Sequence, residues 1–134
     1  MIDLQYIEIE ITDFTANTKW LENIINFEKK NLGEIVFIFC GDDYLLEKNI
    51  KYLKHSTLTD VITFDYCIDD IVSGDIFISI ERVKENSRTY KTPFLKELDR
   101  VMVHGLLHLL GYNDKEKNES DRMTKKEDFY LNIK

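Results

Sequence analysis

Apolar and polar residues nearly alternate from Leu4 through Tyr6, Ile7 and Ile9 to Ile11, which predicts a strand with one wet face. Trp20, Leu21, Ile24, Ile25 and Phe27 then recur at helical spacing, so a helix is expected from Thr18 to Leu32, with Gly33 as its left-handed cap. Ile35 to Cys40 is apolar throughout, as a strand buried on both faces would be, and the strand-helix-strand succession favours a parallel pair with this second strand central. Asp42 or Asp43 can cap a helix reaching about Tyr52, with Leu45, Leu46, Asn49 and Leu53 on one side and Lys48, Lys51 and Lys54 on the other. Val61–Phe64 and Gly74–Ser79 read as an antiparallel pair joined through Asp69 and Asp70.

A short helix is expected from Ile80 to about Arg88. A longer one follows Thr92 as N-cap and Pro93 in the first turn, and runs to Leu110, where Gly111 stops it. The tail from Asn118 to Ile133 is helical in composition, with Met123, Phe129 and Ile133 available to dock. The elements together predict an α/β (α+β) fold in one domain, residues 1–134, with a mixed four-stranded sheet packed by helices.

Composition narrows the setting. Ile35–Cys40 is the longest apolar run, far below the ~20 residues needed to span a bilayer, and Met1 to Leu4 lacks the basic and apolar regions of a signal peptide. A cytoplasmic protein with no membrane partner is expected. Cys40 and Cys67 fit no Cys-x-x-Cys pattern and read as reduced packing residues. The net charge is −7, yet residues 1–47 carry 10 acidic and 3 basic side chains, while the rest of the chain is balanced. Lys51, Lys54, Arg82, Arg88 and Arg100 belong to local basic clusters, so if a nucleic acid is the ligand its phosphates should meet these residues and avoid the acidic first third.

The chemistry concentrates in the segment from His104 to Asp114. Two histidines four apart on a helix share a face and can reach one metal ion. Glu97, Arg100, His104 and His108 fall along one stripe, opposite Leu98, Met102, Leu106 and Leu109, which turns the histidines towards a polar groove. The reversal at Gly111 lets a ligand two or three residues later swing back to the same ion, and Asp114 is the best candidate. Two imidazoles and a carboxylate leave a fourth tetrahedral position for water, the arrangement of a catalytic zinc site. Gly105 stands where a His-Glu-x-x-His peptidase needs its base, which argues against peptidase chemistry. Glu97 lies about 10 Å along the helix from His104, too far to replace that base.

The run HGLLHLLGYND from His104 to Asp114 resembles the HGxLHLxGYDH signature of the YbeY endoribonucleases, bacterial factors of ribosomal RNA maturation. Thr59–Phe64 (TDVITF) is similar to that family's TDVLSF strand and Gly74–Ser79 (GDIFIS) to its GDIxIS strand. The resemblance implies a metal-dependent endoribonuclease specific for single strands, acting on rRNA precursors and in ribosome quality control. Its partner would be the small ribosomal subunit and its cofactor one divalent metal, Zn2+ before others. The family's third histidine falls on Asp114, so the implied site becomes His104, His108 and Asp114, and the family's arginine before the TDVLSF strand falls on Leu53. Lys51 or Lys54 could take over its phosphate contact without reproducing its bidentate fork. The alternative is a non-catalytic RNA-binding ribosome-assembly factor with a structural metal.

Overall fold

The computed structural model describes residues 1–9, 18–53 and 59–134. Among them lie the strands β1 (Ile2–Tyr6), β2 (Asn31–Cys40), β3 (Val61–Asp65) and β4 (Ile71–Ser79). The helices are α1 (Thr18–Phe27), α2 (Asp42–Lys48), α3 (Ile80–Thr89), α4 (Phe94–Leu109) and α5 (Lys117–Asn132), and a π-helical turn, Asn49–Leu53, continues α2. The sheet order is β1-β2-β4-β3. β1, β2 and β4 are parallel, and β3 returns antiparallel on the outer edge of β4. The apolar run Ile35–Cys40 is therefore interior to the sheet, as its lack of alternation requires.

The two faces of the sheet are covered unequally. Ile35, Phe37, Phe39, Ile76 and Ile78 face a large core filled by α1, α3, α4 and α5, whereas Ile38, Cys40, Ile62 and Phe77 meet Leu45 of α2 on the other side. Trp20 donates its indole N–H to the Tyr130 carbonyl at 2.9 Å, tying α1 to α5 inside the larger core. Both cysteines are free thiols, and burial, with Asp42 and Glu81 nearby, pushes Cys40 up to about 12.

Several local expectations change. The first helix ends at Phe27 rather than Leu32. Lys29, at φ 61°, makes the reversal, and Gly33 lies inside β2 at a register shift between Leu32 and Ile35. The first strand is shorter than the Leu4–Ile11 alternation suggests, because Glu8 at φ 53° breaks it, and residues 10–17 lie outside the described ones. Gly41, not Asp42 or Asp43, caps α2, and Pro93, not Thr92, caps α4. On α5 the docking stripe is Met123, Glu127 and Tyr130, spaced at four and three residues, while Phe129 and Ile133 remain exposed.

Helix α4 lies against β4 and β3, with Leu98, Met102, Leu106 and Leu109 buried beneath it. Gly105 sits at the closest approach, where an added Cβ would come within 2.7 Å of the Ile76 Cγ2 methyl. At an exposed helical position Gly→Ala gains about 1 kcal/mol from helix propensity. Here overpacking against a buried β-branched side chain opposes that gain. Gly105→Ala is expected to lose about 1–3 kcal/mol in urea unfolding; a more stable variant would show that the contact relaxes without cost.

Candidate metal centre

The end of α4 shapes the site. Gly111 adopts φ 100° and donates its N–H to the His108 carbonyl at 3.0 Å, and Tyr112 N–H reaches the Leu107 carbonyl at 3.0 Å. This is the paired-bond termination that favours glycine just beyond a helix. It folds the following residues back over the last turns. Asp114 Oδ2 comes to 3.3 Å from His104 Nε2 and 3.4 Å from His108 Nε2, and the two imidazole nitrogens are 3.1 Å apart.

Those three separations test whether the residues fit an ion. Ligand bonds of about 2.0–2.1 Å in tetrahedral array place donor atoms about 3.3–3.4 Å apart, so one ion could contact all three donors without moving the backbone. Among the described residues this is the one group of His, Cys, Asp or Glu with the required convergence. All three side chains are partly exposed, so the open side of the triangle faces the groove rather than the core.

A second layer orients the ligands. His104 Nδ1 donates to Glu127 Oε2 at 2.7 Å, which leaves the Nε2 lone pair for an ion, and His108 is hydrogen-bonded to the Tyr112 backbone. Glu127 itself is buried and accepts from Arg100 Nη1 at 2.9 Å, and Arg100 Nη2 also donates to Asp128 at 2.8 Å. Burial opposes charge on His104, but the Glu127 hydrogen bond and charge, with Asp114 and Asp60, outweigh it and raise its pKa. Burial and the neighbouring His104 lower that of His108.

The groove holding these residues has a volume of about 670 Å³ between α4, α3 and the start of β3. Four carboxylates, Asp60, Glu97, Asp114 and Glu127, line it against one guanidinium, Arg100. Burial and the charge of Asp60 hold the Glu97 pKa above its ordinary value, and burial likewise raises that of Asp60.

Of the residues singled out in the sequence, His104, His108 and Asp114 come together, and Arg100 lines the same groove. Arg82 is paired with Asp42 at 3.0 Å, Arg88 is exposed beside Glu85, and Lys51 lies over the Tyr52 ring. None of these three lines the groove. Lys54 and His55 lie outside the described residues. Sequence reasoning missed Glu127, whose partner is 23 residues away; its place on the buried stripe of α5, as an acid where an apolar residue is expected, was the available signal.

The chain matches the family model described as Endoribonuclease YbeY over residues 2–133. A protein of Flavobacterium psychrophilum named Endoribonuclease YbeY is 51% identical over 134 residues, covering 99% of this chain and 96% of its own. One of the same name from Bacteroides fragilis is 48% identical, covering 79% of this chain and 76% of its own. A solution structure of a Thermotoga maritima protein superimposes with a TM-score of 0.65 at 29% identity, covering 98% of this chain and 87% of that one. With a match that runs through every described strand and helix, the chain belongs to the YbeY endoribonuclease family.

Proposed function

We propose that the protein is a metal-dependent endoribonuclease that cuts single-stranded regions of ribosomal RNA precursors in the cytoplasm, with the small ribosomal subunit as its setting. The observation that carries the metal dependence is the convergence of His104, His108 and Asp114 at tetrahedral spacing on an open groove. Family membership supports RNA as the substrate. Zn2+ suits two imidazoles and one carboxylate. When bound, such an ion supplies an acidified water and a Lewis acid for a phosphoryl oxygen.

The chain's own residues account for the rest. Glu127 fixes the His104 tautomer and Arg100 fixes Glu127. A polyanion would be repelled by the four carboxylates of the groove unless a divalent charge offset them, so phosphate binding and metal binding are coupled. A purely structural metal, as in a non-catalytic assembly factor, would be closed by a fourth protein ligand. Three donors facing a groove favour catalysis.

Incubating purified protein with single-stranded RNA, with and without chelator, tests this reading: cleavage lost on chelation and regained with Zn2+ is expected, and chelator-resistant cleavage would refute it. Elemental analysis should find about one metal per chain, abolished by His104→Ala or His108→Ala, weakened by Asp114→Ala and retained by Asp114→His. Full loading of both histidine variants would remove the site.

Glu127→Gln should weaken metal affinity about 10- to 100-fold in a chelator competition. Because Glu127 raises the His104 pKa, protons compete with the metal from a higher pH than for an isolated histidine. The loss of affinity in this variant should therefore be largest where His104 is deprotonated in both proteins and shrink as the pH falls, and an unchanged affinity at neutral pH would contradict the Glu127 role. Finally, neutralising Lys51 and Lys54 together should flatten the log affinity against log salt slope for single-stranded RNA by about one to two units, while Glu8→Gln leaves it unaltered. Equal slopes would place the phosphate contacts elsewhere.

A further inference from the structure

The end of the groove away from the histidines has a different character. Glu97, in the first turn of α4, is 6% exposed, lines the groove, and has no hydrogen bond or ion pair to its carboxylate among the described residues. The guanidinium that lines the groove, Arg100, is turned to Glu127 and Asp128. The helix N-terminus offsets part of the Glu97 charge, and its carboxylate oxygens open onto the groove, where they are left to accept from whatever donor the groove takes in. Beside it, Asp60 accepts from Asn86 Nδ2 at 3.3 Å, and Tyr90, at the end of α3, lines the same space while 66% exposed.

Such a set would repel a phosphate. It offers acceptors for N–H donors and an aromatic face, which is what an unstacked nucleobase requires. Glu97 lies about 10 Å along the helix axis from His104, so a base there and a phosphate at the histidines would belong to the same short stretch of one strand. Among the bases, guanine presents two adjacent donors, N1–H and the N2 amine, that match the two oxygens of a carboxylate.

We propose that Glu97, with Asp60, Asn86 and Tyr90, forms a base subsite that reads guanine next to the phosphodiester held at the histidine end. The inference rests on RNA being the substrate, and deepens that reading into a sequence preference. Glu97 accepts from N1–H and N2–H, the Asn86 amide holds Asp60 in place, and the Tyr90 ring stacks on the base.

The test uses the full-length protein loaded with Zn2+ and three single-stranded uridine heptamers carrying guanine, inosine or adenine at the centre, with binding read by fluorescence anisotropy. Inosine keeps N1–H and lacks the N2 amine. Guanine should bind about tenfold more tightly than inosine, and at least that much more tightly than adenine. Glu97→Gln should bring the guanine-to-inosine ratio close to one. Tyr90→Ala should weaken all three by about tenfold and preserve the ratio. A wild-type ratio of one overturns the proposal without reference to any variant, and so does a ratio that survives Glu97→Gln. A second equivalent of metal bound by the wild type and lost in Glu97→Gln would also overturn it, by assigning the carboxylates to a cation. Cleavage of all three oligomers at equal rates and affinities defeats the guanine subsite alone. Guanine-selective binding without cleavage defeats the nuclease reading and leaves the subsite standing.

Discussion

The site depends on the packing of α4 against β4 and β3, closest at Gly105. With Gly105 in contact with Ile76 and with Leu98, Met102, Leu106 and Leu109 buried, the helix has one rotation available to it. That rotation turns Glu97, Arg100, His104 and His108 into the groove. The glycine that excludes a peptidase's glutamate thus has a structural reason as well: the position following His104 faces the sheet, where a carboxylate would be buried without a partner. Packing and chemistry are set by the two faces of one helix.

Charge is the second constraint. The groove concentrates acidic groups around two imidazoles, and one arginine is already committed to two of the chain's carboxylates. Left uncompensated, this arrangement opposes any nucleic acid, and a divalent ion held there would make the histidine end attractive to phosphate. The Glu97 end has no such remedy among the described residues, which is why neutral N–H donors suit it better. Among the described residues, none of the acidic first third, residues 1–47, lines the groove.

Much of this was legible beforehand because it is periodic. The unbroken apolar run of β2, the antiparallel β3–β4 pair, the histidine stripe and the Gly111 reversal all follow from spacing, and the structure has them. The departures come where two local signals compete. Gly33 was the obvious cap for the first helix, but Lys29 accepts the positive φ, and pairing of Leu32 with Val72 draws Gly33 into the sheet. On α5, Phe129 was the more apolar residue, yet Tyr130 shares the face of Met123 and takes the buried place. Asp60 and Asn86 were illegible as site residues because each acts through a partner from another element, and Glu127 was marked only by being an acid on the buried stripe of α5. Arg82 looked free in sequence for the same reason, since its partner Asp42 is 40 residues earlier.

The most direct test of the metal centre is anomalous diffraction from crystals of the Zn2+-loaded protein at the zinc absorption edge. The account predicts one strong peak, about 2.0–2.1 Å from Nε2 of His104 and of His108 and about 2.0–2.2 Å from a carboxylate oxygen of Asp114, with the remaining position open to the groove. A peak elsewhere, no peak between these residues, or a fourth protein ligand closing the site would contradict it.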